Sequence, residues 1–413
     1  MLWRMASSEK IQVPVILWHP DGQRVAVQGR EFPRLEVERH GNLKKTVQEA
    51  WQLATWELHD AGIAFGMTGT PRLLALSGEL PAHLSWLEKD LPPLPFEQVW
   101  QRPDWQVCVR RRLEQAGVQA TDFSPVHSHD LTSIVRAQTP AGEVFLKTSS
   151  KPDEMRFKEY VAADFPDVCP PLLACQVQEG WQVTASGGQL LDAVADLTAW
   201  QQAIRRLTEF QQSAQASRLA ALGARAYPFE EMRERIPAFL SDTPLLRSWV
   251  VPEEKIRALQ DARPTIRQAL EKLAALKLPD LPAHGDAHPR NALYGERGSV
   301  WFDWSETLSA AHPFMDLGWF LGFTLHPARQ TLPVRQAHPE LEAHLTQSVL
   351  RAFDLPATQA PLLGAAMTLA YLHRAVVYDE KFREWQGNVP GWRPNYVPFS
   401  LRQAARELTR LRA

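Results

Sequence analysis

The sequence predicts an α+β chain: a small α+β domain, then a small β-rich lobe, then a large helical lobe. Three observations carry this. Short alternating apolar segments bounded by Gly and Pro fill the first half. A proline cluster, Leu91-Pro92-Pro93-Leu94-Pro95, interrupts them and reads as a linker, because consecutive prolines favour extended backbone. Beyond Gly187-Gly188 the apolar spacing lengthens to that of helices. The expected boundaries are 1–92, 93–185 and 186–413.

In the first domain, Val13–Trp18 and Arg24–Gln28 read as strands around a Pro20-Asp21-Gly22 turn. Thr46–Ala61 is expected to be a helix, since Val47, Ala50, Trp51, Ala54 and Leu58 share one face and Gly62 follows. Arg72–Leu76 reads as a further strand. After the linker, Asp104–Gln115 is expected to be helical and to close near Gly117. Ser133–Ala137 and Glu143–Lys147 alternate like paired strands around Pro140-Ala141-Gly142. Pro152–Asp164 reads as a helix with Pro in its first turn, and Trp181–Ala185 as a short strand. In the last lobe Trp200, Ile204, Leu207 and Phe210 lie on one helical face. Ile256–Leu276 and His338–Phe353 continue that pattern, with Pro264 bending or splitting the first.

The charge balance narrows the function. With 45 basic and 47 acidic side chains among 413 residues, the net charge is −2, which excludes a polybasic nucleic-acid binder. No apolar run approaches the ~18–20 residues of a membrane span; the richest, Leu362–Leu372, is shorter and contains Thr368. The first residues lack the apolar core of a signal peptide. Cys108, Cys169 and Cys175 form no Cys-x-x-Cys, so neither a disulfide framework nor a zinc ribbon is indicated. The expectation is a cytoplasmic protein with no nucleic-acid and no membrane partner.

The strongest chemical signal is His284-Gly285-Asp286-Ala287-His288-Pro289-Arg290-Asn291. It leads into Ala292-Leu293-Tyr294, a Gly295–Gly298 turn and Ser299-Val300-Trp301-Phe302-Asp303-Trp304. Two short strands around a tight turn bring the ends of this segment together, so Asp286, Asn291 and Asp303 converge. Phosphoryl transfer to a hydroxyl needs a carboxylate to orient the hydroxyl and accept its proton. It also needs hard oxygen ligands for Mg²⁺ on the nucleotide phosphates. Asp286 suits the first task; Asn291 and Asp303 suit the second.

The run His-Gly-Asp-x-His-x-x-Asn, then Phe-Asp-Trp, then His312-Pro313-Phe314-Met315-Asp316-Leu317, resembles the aminoglycoside phosphotransferase family of the protein-kinase-like superfamily. The resemblance spans roughly Trp100 to the C-terminus. It implies a bilobal kinase-like fold and transfer of the γ-phosphate of ATP or GTP, with Mg²⁺, to a hydroxyl of a small molecule. It also implies Asp286 as catalytic base, Asn291 and Asp303 as metal ligands, and Asp316 as an acid bracing the catalytic loop. Val144-Phe145-Leu146-Lys147 matches the family's strand-borne lysine, with Glu159 as its partner and Glu154 as the rival. The phosphate-covering loop falls on Val126–Ser133, where Ser128, Thr132 and Ser133 replace the usual glycines. Thr184–Ser186 falls where backbone meets the nucleotide base, which marks Thr184 and Ser186 as nucleotide contacts. The acceptor's grip is expected in Tyr371–Arg383 and Trp385–Tyr396; Asp379, Glu380 and Glu384 there read as a solvated helix surface, with contact to a cationic substrate as the alternative. The alternative function is a catalytically weak kinase-like binding module partnered with its own N-terminal domain.

The first domain resembles the Nudix fold. The matching window is Thr55-Trp56-Glu57-Leu58-His59-Asp60-Ala61-Gly62-Ile63, expected on the helix. Only Asp60 keeps a carboxylate at a box position, a poor Mg²⁺ site, so the resemblance implies a structural or docking domain without hydrolysis.

Overall fold

A computed structural model describes residues 10–19, 23–38, 43–59, 71–89, 104–129, 132–150, 152–385 and 396–412. The chain divides into two compact units. The first takes Met1–Pro152, Leu172–Ser186 and Trp392–Pro394; the second takes Asp153–Pro171, Gly187–Gly391 and Asn395–Ala413.

The first unit opens with β1 (Lys10–Pro14), β2 (Ile16–Trp18), β3 (Arg24–Val27) and β4 (Arg34–Glu38). Then come α1 (Leu43–Trp51), β5 (Ala54–His59), β6 (Arg72–Ser77) and β7 (Ser85–Glu88). β1 pairs with β4, and the other strands form a sheet of order β5-β6-β2-β3-β7. Alternate residues Val13, Val15 and Leu17 turn inward with Leu35, Val37, Val47 and Trp51 to make its core. After α2 (Trp105–Gln115), a second sheet is built from β8 (Asp122–His129), β9 (Thr132–Thr139), β10 (Gly142–Ser149), β11 (Leu172–Gln176) and β12 (Trp181–Ala185). Its order is β11-β12-β10-β9-β8. Trp105, Val109 and Leu113 of α2 cover its inner face, made by Val135, Val144, Leu146 and Val183.

The expected helix over 46–61 is a correction. The helix stops at Trp51, Gln52 takes φ +54°, and Ala54–His59 becomes β5. The reason is tertiary: β6 offers an antiparallel ladder running from Ala54↔Ser77 to His59↔Arg72. Leu53 and Thr55 are both buried, an alternation that fits a strand as well as the 3.6-residue pattern fits a helix. The Nudix window therefore begins in a strand rather than a helix, and its remainder, with Asp60, lies outside the described residues. The Pro20–Gly22 turn, the Leu91–Pro95 linker and Asp130–Leu131 also lie outside them.

The second unit begins with α3 (Pro152–Asp164), β13 (Gln189–Leu190), α4 (Leu197–Ser213), α5 (Ala216–Ala221) and β14 (Arg225–Tyr227). Four helices follow: α6 (Phe229–Ser241), α7 (Thr243–Ser248), α8 (Glu253–Asp261) and α9 (Arg263–Ala274). Pro264 sits in the first turn of α9 and splits the expected long helix. Next come β15 (Leu281–Ala283), the hairpin β16 (Ala292–Gly295) and β17 (Gly298–Trp301), and β18 (Leu308–Ala311). The chain ends in α10 (Phe314–Thr324), α11 (Pro333–Ala337), α12 (Leu341–Ala352), α13 (Ala360–Trp385) and α14 (Tyr396–Arg406). Trp200, Ile204, Leu207 and Phe210 are buried along α4 as their spacing predicts.

Every residue of α10 is buried, and α10 crosses α13 so closely that a Cβ on Gly318 would lie 2.4 Å from the Ala366 carbonyl oxygen. The apolar stretch of α13 outlasts Leu372, because Ala375, Val376 and Val377 continue it past His373-Arg374. By length and composition this helix is long and apolar enough to cross a membrane, yet 83% of its apolar window is buried inside the protein. It is the core helix of the second unit.

Candidate active site

The loop after β15 is fixed by backbone chemistry first. Gly285 has φ +79°, and a Cβ there would sit 1.9 Å from the Glu306 carbonyl oxygen, so only glycine fits. Asp316, in the first turn of α10, accepts the His284 N–H on Oδ2 at 2.7 Å and the Gly285 N–H on Oδ1 at 2.9 Å. Burial pushes the Asp316 carboxyl up to about 6, against the two amides that hold it down.

His284 is buried against Trp301 and Trp304, and that burial lowers it to about 4, so the ring is neutral. Its Nδ1 receives the Asp286 N–H at 3.3 Å. Nε2 therefore carries the proton and donates to the Phe302 carbonyl at 2.9 Å. One histidine thus ties the loop to the residue before Asp303, which excludes it as a metal ligand at that nitrogen.

The Asp286 carboxylate has two differently held oxygens. Oδ1 accepts from Trp319 Nε1 at 2.9 Å and lies 2.9 Å from Arg374 Nη2. Oδ2 lies 3.3 Å from Asn291 Nδ2 and 3.6 Å from His288 Nε2. Burial alone would raise this carboxyl. The Arg374 guanidinium, helped by His288 and His284, holds it well below the usual carboxylate range. Asp286 is an anion at every working pH.

Asn291 also donates to the Asp286 carbonyl at 3.0 Å, which leaves its amide oxygen as the acceptor end. Its own carbonyl receives the Phe302 N–H at 2.9 Å, continuing the β16–β17 ladder beyond Ala292↔Trp301. Asp303 follows in the left-handed region at φ +61°, and its Oδ1 receives the Ser305 hydroxyl at 2.8 Å. The hairpin thus brings Asp286, Asn291 and the Phe302–Asp303 step into one hydrogen-bonded cluster. Among the described residues no three His, Cys, Asp or Glu side chains gather into a metal cluster. Two oxygen ligands are still ordinary for Mg²⁺, which keeps waters and substrate phosphates in its other positions.

In the first unit, Lys147 is buried on β10 between Ile134 and Gln182. Ser128 and Ser133 face each other across the β8–β9 hairpin, and both are buried. Thr132 donates to the Thr148 carbonyl at 2.7 Å. Thr184 has registered neighbours on both sides, Phe145 and Leu172. The Ser186 amide is committed, donating to the Glu143 carbonyl at 3.0 Å, because β12 pairs one residue past its end.

On α3, Glu159 is exposed whereas Glu154 is 2% exposed and shares the buried face with Phe157 and Val161. Sequence distance from Lys147 favoured Glu159. Helix phase turns that residue to solvent.

Residues 135–360 match the model of the phosphotransferase enzyme family. The chain belongs to that family. Among solved structures it is similar to the aminoglycoside 2'-phosphotransferase-IIIa in its GDP complex, at 9% identity and TM-score 0.50, over 74% of this chain and 98% of that one. It is also similar to choline kinase LicA from Streptococcus pneumoniae, at 13% identity and TM-score 0.49, over 74% and 99% of the two chains. No curated protein sequence matches the chain. This phosphotransferase therefore has the kinase-like fold, a sheet-rich part followed by a helical one.

Two groups of this phosphotransferase's site escaped the sequence reading. Trp319 and Arg374 hold the Asp286 carboxylate from α10 and α13, far along the chain. The one available signal was Arg374 itself, a guanidinium set in the middle of a long apolar helix, where it needs a buried anion. The acids that offered the alternative of a cationic acceptor are engaged within the protein. Asp379 accepts from Trp249 Nε1 at 2.7 Å and pairs with Arg383. Glu380 pairs with Arg235 at 2.5 Å, and Glu384 pairs with Arg225.

Proposed function

We propose that this phosphotransferase moves the γ-phosphate of ATP or GTP, with Mg²⁺, onto an alcohol group of a small molecule. The observation that carries the reading is the Asp286 carboxylate, anionic, fixed on one oxygen, and bonded on the other side to Asn291. A held anion at this place orients an acceptor hydroxyl and takes its proton as the bond to phosphorus forms. Asn291 and Asp303 supply the oxygens that would hold Mg²⁺. When bound, the ion neutralises charge on the phosphates. Lys147, buried on β10, is assigned to the phosphates. Ser128, Ser133, Thr184 and Ser186 are assigned to the nucleotide's surroundings.

The engaged state of Asp379, Glu380 and Glu384 speaks against a polycationic acceptor. The test is nucleotide consumption, with ATP and GTP separately, across a panel of hydroxylated metabolites, using Asp286→Asn as the control. Turnover by the wild type and at least about 10²-fold less by the variant is expected. Equal turnover by both would remove Asp286 from the reaction.

A further inference from the structure

Arg374 lies beyond the segment that matches the family, yet its guanidinium lies 2.9 Å from the Asp286 carboxylate. It is 7% exposed and makes three directed contacts from one guanidinium. Nη1 donates to the Gly285 carbonyl at 2.5 Å, Nη2 donates to the Tyr378 hydroxyl at 2.9 Å, and Nη2 lies 2.9 Å from Asp286 Oδ1. Its plane also lies over the Trp319 ring, 4.2 Å from the centroid, and Trp319 donates to the same Oδ1. Both α10 and α13 therefore converge on a single oxygen of the carboxylate.

Such an arrangement does more than neutralise charge. With Oδ1 occupied twice, rotation about the Cβ–Cγ bond of Asp286 would break both contacts. We propose that Arg374 is a positioning residue for phosphoryl transfer, pinning Oδ1 so that Oδ2 is the oxygen presented to the acceptor hydroxyl. The inference rests on the phosphotransferase reading above. It adds that the C-terminal helix sets the geometry of the base. A guanidinium is required, because its two terminal nitrogens divide three contacts in a rigid fork that an ammonium on a flexible stem does not reproduce. The neighbouring cavity, lined by Gly285, Glu306, His373, Val377 and Lys381, gives a small cation room to enter when the side chain is removed.

The test uses the full chain and an acceptor found active with the wild type. Arg374→Ala should lower kcat about 10²-fold or more, the scale of a misplaced reacting group, with the nucleotide KM within about threefold. Added guanidinium should restore part of that kcat, while added ammonium should not. Arg374→Lys should stay closer to the alanine variant than to the wild type. Trp319→Phe, which removes the other bond to Oδ1 and keeps the ring, should lose kcat in the same sense and serves if Arg374→Ala does not fold. Unchanged kcat in Arg374→Lys and Trp319→Phe overturns the assignment. So does a loss in Arg374→Ala that tracks its folded fraction and ignores guanidinium. Failure of the wild type to transfer phosphate to any acceptor removes the phosphotransferase reading itself, and this role with it.

Discussion

Asp316→Ala tests how far the loop that carries Asp286 depends on one buried acid. The carboxylate is 3% exposed and accepts two backbone amides, one on each oxygen. Removing it leaves both amides buried without an acceptor, at about 1–3 kcal/mol each. Releasing the buried carboxylate works in the opposite direction, since its pKa pushed up to about 6 marks a real cost of ionisation at neutral pH. Ionising that carboxyl costs about 3 kcal/mol, so the expected net loss is no more than about 3 kcal/mol. Part of it appears as global instability. The rest appears as displacement of Asp286, which follows Gly285 directly, at about 1.4 kcal/mol per tenfold in kcat. Urea denaturation and steady-state turnover of the same preparation separate the two shares. Asp316→Asn keeps one acceptor and should lose about half as much. An alanine variant with wild-type unfolding free energy and wild-type kcat would refute the bracing role and the reasoning that assigns it.

Four further outcomes are expected. Asp286→Asn should bind nucleotide normally while turnover falls at least about 10²-fold, as calorimetry beside a rate assay can check. Asp303→Ala should lose the Mg²⁺ dependence of nucleotide binding; a titration identical to wild type removes Asp303 from the metal site. Gly285→Ala places a methyl 1.9 Å from the Glu306 carbonyl oxygen and demands φ +79°, so the loop must move, and loss of activity with a lowered melting temperature is expected. Burial lowers His312 and His373 to about 3, so both are neutral in the fold. The unfolded chain takes up their protons near pH ~6.5. Their contribution to stability is thus present above that pH and lost as pH falls toward about 3, at ~1.4 kcal/mol per unit for each. His373→Phe should flatten the slope of unfolding free energy below about pH 6 by that amount; an unaltered slope counts against its neutral burial.

Much of this protein follows from local patterns. The apolar spacing of Trp200, Ile204, Leu207 and Phe210 needs no partner to be read as a helix face, and α4 carries it. The Pro140–Gly142 turn and the Gly295–Gly298 turn fix their hairpins through backbone preferences alone. The density of chemistry in residues 284–303 was legible for a related reason: the cluster is closed by a short hairpin, so sequence neighbours become spatial neighbours. What the tertiary structure decided lies where a choice depended on a distant strand or helix. Residues 54–59 fit two periodicities, and only the edge of β6 selected the strand. Glu154 lies inside and Glu159 outside because the phase of α3 is set by what it packs against. Arg374 meets the Asp286 carboxylate because Gly318 lets α13 approach α10, a contact between segments that no local pattern links.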